Sequence, residues 1–328
     1  MPNDTSSVCE TAVIIPCYNA GSCVARALDS VLAQTHQDYR IFVVDDGSTD
    51  DTEQVLRNYA GRVVAVRQEH AGQGSARNRG IRSSRSSYVA FLDADDEWLP
   101  AKLERQIEIL RRDSSIGLVY SDCSTSGTGP FEGSHFARVG TPNGGRVFEQ
   151  LLDSCSIFTP TAVVRRECLE EVGLFNESLP VGEDFNLWLR IAACWAVAVV
   201  PEVLAVRHYR PGGLSLTTAP DTALRSSVAA FEDVLQSSAA HLFPDQRRAL
   251  LRAIAQRHYD YGTYLLIHGE RARSRDQMFQ AFHGGPLDWR VPAKIALSFL
   301  PHRAFLSLRE LQRRFKSAPA GNHVTAAE

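Results

Sequence analysis

A chain of 328 residues with 44% hydrophobic and 22% charged content has ample material for a core of one or two domains and fits a folded soluble protein. Its net charge of −3 points to no nucleic-acid partner, although the charge is uneven: residues 243–316 hold 14 Lys and Arg against 6 Asp and Glu. Seven cysteines without a C-x-x-C pair or a Cys/His cluster, several of them inside apolar runs, fit a reducing compartment.

Residues 1–10 are polar and lack an apolar h-region, so no signal peptide is expected. Residues 11–15 are a β-rich run closed by Pro16, and residues 17–21 have loop chemistry. Ser22 is then a candidate cap for a helix bearing Val24, Leu28, Val31 and Leu32 at helical spacing. Residues 41–44 repeat the strand and end in Asp45-Asp-Gly-Ser-Thr-Asp50, where Asp50 and Glu53 look like a capping box for the next helix. Residues 63–66 make a third strand, and the glycine-rich loop through Gly74 opens another helix. Alternation of this kind implies right-handed βαβ units and a mostly parallel sheet.

Tyr88, Val89, Phe91 and Leu92 suit a covered strand that runs straight into Asp93, Asp95 and Asp96. Like charges crowded at a strand's carboxyl end raise one another's pKa unless a cation sits among them. In open α/β sheets that end is also where ligands bind, although an isolated Asp-x-Asp is as readily a turn capping the next helix. Trp98 and Leu99 lead to Pro100 at the first turn of a helix, and residues 116–120 read as a further strand. Residues 124–145 are rich in Ser, Gly, Thr and Pro without periodicity and are expected to form a long mobile loop. A short strand around Val163 and a helix stopped by Gly173 precede Glu183 and Asp184, which open an amphipathic helix and have a plain reading as capping acids. The longest apolar run, residues 191–206, is interrupted by Pro201 and Glu202 and is too short to span a bilayer.

The segments VIIPCYN, VVDDGSTDDT, GSARNRGI, YVAFLDADDEW, VGLFNESL and EDFNLWLR, in this order, resemble the family-two glycosyltransferases of the GT-A fold. The resemblance spans about residues 11–215 and implies an α/β fold, a Rossmann-like mostly parallel sheet flanked by helices, with a C-terminal helical extension. It implies a catalytic domain over residues 8–215, with a nucleotide-sugar half at about 11–122 and an acceptor half at about 146–215. A helical region at 216–316 and a disordered tail at 317–328 follow.

The resemblance also carries roles. Pro16, Tyr18 and Asn19 would line the nucleotide pocket, and Asp46, backed by Asp45, would accept a hydrogen bond from the base, which suits the N3–H of uracil or thymine. Arg77 would steady phosphate or ribose charge. Asp95 would be the direct ligand of Mg²⁺ or Mn²⁺, and Asp93 a sugar, ribose or second metal contact, with Asp96 behind them. Of the Glu183-Asp184 pair, Asp184 would be the general base on the far side of the sugar, making transfer inverting. Near the end of the resemblance either His208 or Arg210 would hold diphosphate, and the register leaves both open. The implied partners are a nucleotide-diphosphate sugar donor and a glycan or glycolipid acceptor in cell-surface polysaccharide or glycolipid assembly.

Rival readings are weaker. No G-x-G-x-x-G follows a strand, and no G-x-x-x-x-G-K-[ST] occurs anywhere. A catalytically idle sugar-nucleotide or glycan-binding protein would keep the fold but have no need of Asp184. In the last third, Ile295, Leu297, Leu300, Phe305, Leu306 and Leu308 stand among Arg and Lys; such a stretch either lies on an anionic membrane surface or packs as a bundle with solvated arginines. The expected location is cytoplasmic, with the inner face of the membrane as the place of any such contact.

Overall fold

The computed structural model describes residues 9–126, 132–208, 219–284 and 290–300. The first half alternates β1 (Thr11–Cys17), α1 (Val24–Leu32), β2 (Tyr39–Asp45), α2 (Thr52–Arg57), β3 (Val63–Arg67), α3 (Gln73–Arg82) and β4 (Tyr88–Phe91). After β5 (Glu97–Trp98) and α4 (Lys102–Arg112) come β6 (Ile116–Ser126), β7 (Gly133–Ser134), α5 (His135–Val139) and α6 (Phe148–Asp153). A 3₁₀ turn at Thr159–Thr161 leads into β8 (Val163–Arg165), α7 (Arg166–Val172), α8 (Glu183–Cys194) and β9 (Ala196–His208). The chain continues through α9 (Pro220–Ser237), α10 (Pro244–Ile267), α11 (Arg271–Gly284) and α12 (Arg290–Ser298).

The strands form one sheet in the order β3-β2-β1-β4-β8-β6-β9-β5, with β7 paired to β6. From β3 to β4 every pairing is parallel, as the βαβ pattern requires; β8 then enters antiparallel to both β4 and β6, whereas β6 and β9 are parallel. Register places the ends of β1, β2 and β3 together, since Cys17 pairs Asp45 and Asp45 pairs Arg67, while Ile14 pairs Phe91 at the end of β4. The loops after these four strands therefore leave the same rim of the sheet. Beneath them Val13, Ile15, Val24, Leu28, Val43, Leu92, Leu103 and Ile107 share one core cluster and are closed to solvent.

Four local expectations change. Residues 124–145 are not one loop: β6 runs on to Ser126, and β7 and α5 follow within the described part. The cause is Asp122, buried in β6, whose carboxylate accepts from the amides of Cys123 and Phe136 and from Ser134 Oγ, folding this segment back on the strand. Pro100 does not stand in the first turn of α4, which starts at Lys102 after Ala101, because Glu97 and Trp98 first form β5 against β9. Ser22 is not the cap of α1: that position is Cys23, with no side-chain hydrogen bond. Asp50 and Glu53 form no capping box, because Asp50 accepts from Thr52 and from the amide of Gly21, tying the loops after β1 and β2 together, while Glu53 reaches Arg57.

The chain divides into two units, Met1–Leu250 and Leu251–Glu328. In the first, α9 docks on α8 through Asn186, whose amide donates to Ala230 O and to Asp233 at 2.8 Å. In the second, Met278 is buried beside Gly262, and His258 Nδ1 lies 2.8 Å from Gln277 Oε1. No helix among the described residues is long and apolar enough to cross a membrane. Residues 301–328, with much of the basic amphipathic stretch and the tail, lie outside the described residues.

Candidate active site

The rim is built from the strand ends inward. Pro16 is the penultimate residue of β1 and is buried, whereas Tyr18 is half exposed and stacks on His70 with ring centroids 4.2 Å apart. Asn19 takes a left-handed φ of 49°, an angle asparagine tolerates, and spans to the next loop: its amide donates to Ser48 Oγ and its Oδ1 accepts from the amide of Thr49.

Asp45 and Asp46 are buried and committed to protein donors. Asp45 accepts from the amide of Ser48 and from Arg67 Nη1 at 2.9 Å, so it shapes the turn after β2. Asp46 accepts from Gln68 Nε2 and from the amides of Ala71 and Gly72, and sits 2.9 Å from His70 Nδ1. The expected contact between Asp46 and a base would need one of these bonds to be surrendered. What faces solvent here is His70, whose side chain is 57% exposed. Gln68 and His70 were missed in the sequence, although both sit just past the end of β3, where the strand-end rule points.

Arg77 is 1% exposed, and its guanidinium is spent inside the protein. Nη2 donates to Asp93 Oδ1 at 2.7 Å and Nη1 to Glu183 Oε1 at 2.6 Å. Burial by itself would lower its pKa, and the charges of Asp93, Glu183 and Asp184 more than reverse that, so it stays a cation. Arg77 thus clamps the acidic turn to the start of α8. Glu183, itself buried, has its pKa raised by that burial despite the Arg77 charge.

The acidic turn follows Leu92. Asp93 and Asp95 are partly exposed, and Arg26 donates to the backbone carbonyl of Asp95. Asp96 is buried; burial and the like charges of Asp93 and Asp95 hold its pKa well above the usual carboxylate range. Its Oδ1 accepts from the amide of His208 at 3.0 Å, so His208 reaches the site through its backbone, while its imidazole lies 3.4 Å from Glu97. Arg210, the other candidate for diphosphate, lies outside the described residues. The oxygen-only donor set and the raised Asp96 suit a hard divalent cation, with Asp93 and Asp95 as the side chains to hold it. The three carboxylates do not converge as a three-ligand set among the described residues, so such a cation would draw the rest of its shell from phosphate oxygens and water.

Asp184 stands on the first turn of α8, after Gly182 in the left-handed region at φ 81°. Its Oδ2 accepts from Thr159 Oγ1 at 2.9 Å and its Oδ1 from the amide of Phe185, leaving a lone pair on each oxygen. Thr159 was also missed; nothing in the sequence links it to a residue 25 positions away. Beside it Phe158 carries the Arg207 guanidinium 4.2 Å above its ring. An open cavity of about 470 Å³ bordered by Ile116, Pro142 and Pro201 lies at the other end of the sheet, where β6 and β9 begin.

Comparisons with known proteins agree with this architecture. The family model described as Glycosyl transferase family 2 matches residues 12–173. The UDP-Glc:alpha-D-GlcNAc-diphosphoundecaprenol beta-1,3-glucosyltransferase WfgD of Escherichia coli is 31% identical over 182 residues, covering 55% of this chain and 68% of that one. The putative teichuronic acid biosynthesis glycosyltransferase TuaG of Bacillus subtilis is 31% identical over 191 residues, covering 55% and 71%. Matches to uncharacterized glycosyltransferases of Rickettsia prowazekii and Rickettsia felis take in only 62% and 30% of their length. Among solved structures, S. aureus TarS 1-349 in complex with UDP-GlcNAc superposes with a TM-score of 0.68 at 18% identity, over 94% of this chain and 91% of that one. The mannosyltransferase PcManGT from Pyrobaculum calidifontis, in complex with GDP-Man and Mn2+, gives 0.60 at 20% identity, over 96% and 90%.

Proposed function

From the premise that the chain belongs to glycosyl transferase family 2 and is a glycosyltransferase of the GT-A fold, we propose that it moves one sugar, with inversion, from a nucleotide-diphosphate donor to a hydroxyl acceptor. The observation that carries this reading is the clamp Asp93–Arg77–Glu183, because it fixes the acidic turn, where the donor's diphosphate would sit, against the first turn of α8, which presents Asp184.

Asp184, oriented by Thr159, takes the proton of the acceptor hydroxyl as its oxygen attacks the anomeric carbon. The bond from that carbon to the diphosphate breaks, and the nucleotide leaves with the electron pair. Mg²⁺ or Mn²⁺ held by Asp93 and Asp95 would supply Lewis-acid stabilisation of the charge that develops on the diphosphate. Glu183 is engaged by Arg77 at 2.6 Å and is not free to act as a nucleophile, which favours a single displacement over a covalent intermediate. The exposed Tyr18–His70 stack offers a ring surface for the base at the rim.

A UDP-sugar is the favoured donor class, with dTDP-sugars next: one structural neighbour holds UDP-GlcNAc and the name of one relative specifies UDP-Glc. The acceptor class is a glycan or glycolipid of cell-surface polysaccharide assembly, a reading supported by one relative whose name specifies an alpha-D-GlcNAc-diphosphoundecaprenol and by another named for teichuronic acid biosynthesis. An idle sugar-nucleotide binder is disfavoured, because simple binding makes no use of a carboxylate held as Asp184 is. A panel of nucleotide sugars with Mn²⁺, read by thermal shift, tests the donor assignment. At about 100 times the Kd, the right donor adds about 2.7 kcal/mol of stability. Asp95→Ala should abolish the metal-dependent part of that shift; a full shift in Asp95→Ala would contradict the proposed cation site.

A further inference from the structure

A second group of potential metal ligands lies away from the rim. Glu171 near the end of α7, Cys194 as the last residue of α8, and His241 just beyond α9 bring a carboxylate oxygen, a thiol sulfur and a ring nitrogen within 4.8 Å of one another. The three come from three separate stretches of the same unit. His241 Nδ1 and Glu171 Oε1 are 3.8 Å apart, too far for a hydrogen bond. Two ligands of one tetrahedral zinc ion are about 3.3 to 3.6 Å apart, so the set would close by roughly an ångström on the metal. With both side chains about 40% exposed, that adjustment is a change of rotamer at the surface.

Two further features prepare the place. The other carboxylate oxygen of Glu171 accepts from Trp195 Nε1 at 2.8 Å, the kind of outer bond that orients a ligating carboxylate. Cys194 ends a helix of 12 residues, where the negative pole of the macrodipole favours a cation. Asp184 sits at the opposite end of this helix, about 15 Å away along its axis, so the group is separate from the proposed donor site.

We propose that Glu171, Cys194 and His241 form a zinc site, with water in the fourth position, that staples the ends of α7 and α8 to the turn after α9. The mixed sulfur, nitrogen and oxygen set selects a borderline-soft ion such as Zn²⁺ over Mg²⁺ or Mn²⁺, which prefer oxygen ligands.

The test is titration of the full chain with Co²⁺ as a spectroscopic stand-in for zinc. A thiolate-to-cobalt charge-transfer band in the near ultraviolet should grow to one equivalent and be displaced by Zn²⁺. It should vanish in Cys194→Ser and persist in Cys155→Ser and Asp95→Ala, which separates this site from the acidic turn. His241→Ala and Glu171→Gln should each weaken binding by more than tenfold, and Trp195→Phe by about tenfold. Absence of the band, its survival in Cys194→Ser, or unchanged affinity in both His241→Ala and Glu171→Gln would overturn the proposal.

Discussion

Arg77 shows how one side chain can join two halves of a site. Its guanidinium fork meets Asp93 and Glu183 at 2.7 and 2.6 Å with almost no solvent around it, an arrangement that a lysine's point charge cannot reproduce. Arg77→Met would leave Glu183 buried without its counter-charge, and a broken buried pair typically costs about 3–5 kcal/mol. Chemical denaturation should report a loss of that size, whereas an unchanged midpoint would show that the clamp adds nothing. The motif containing Arg77 was legible in the sequence, and its partners were not. An arginine in a polar helix reads as a phosphate contact until the fold brings α8 over it, and residues 77 and 183 are 106 positions apart. The same holds for Asp46, whose place at a strand end was clear while its saturation by the amides of Ala71 and Gly72 depends on the path of the loop after β3.

The elements carry these residues at set depths. Helix α3 lies on the sheet where Gly80 meets Ile14, and a Cβ built at Gly80 would fall 2.6 Å from Ile14 Cγ2. Gly80→Ala gains up to about 1 kcal/mol of helix propensity but forces a shift in a filled core, so a net loss of about 1–2 kcal/mol is expected in denaturant melts. Helix α4 holds Lys102 fully buried, its Nζ donating to Gln106 Oε1 at 2.6 Å and lying 4.3 Å from the centre of the Trp98 ring. Burial lowers the pKa of this amine well below its usual value. Between that folded pKa and about 10.4, the unfolded chain binds a proton that the native chain does not, so stability rises with pH across the window. Lys102→Met should flatten that rise in denaturant midpoints measured from neutral to alkaline pH; an identical slope would place the titration elsewhere. The parallel strands and their helices were legible because β-rich runs alternate with helical spacing from Thr11 to Phe91. Beyond Asp96 that regularity ends. β5 is two residues long, and β7 with α5 depends on the buried Asp122, so neither leaves a periodic trace.

At the scale of the whole molecule, the strand ends converge on one rim because the first four strands of the chain are parallel neighbours; this gathers the four motifs carried by β1 to β4 and α3, while Arg77 ties the start of α8 to them through Glu183. The last third was legible only as helices, since the partner of an amphipathic face is not written in its own spacing. Asn186 binds α9 to α8, which groups α9 with the unit that ends at Leu250. On the proposed reading, the rim and the first turn of α8, joined by Arg77, set a base opposite a departing diphosphate. The most direct test of that arrangement is the single-turnover rate of Asp184→Asn on the donor identified by thermal shift, measured beside the variant's donor affinity. Loss of the base should cut transfer by about 10²- to 10⁴-fold with donor binding unchanged, whereas transfer near the wild-type rate would contradict the account.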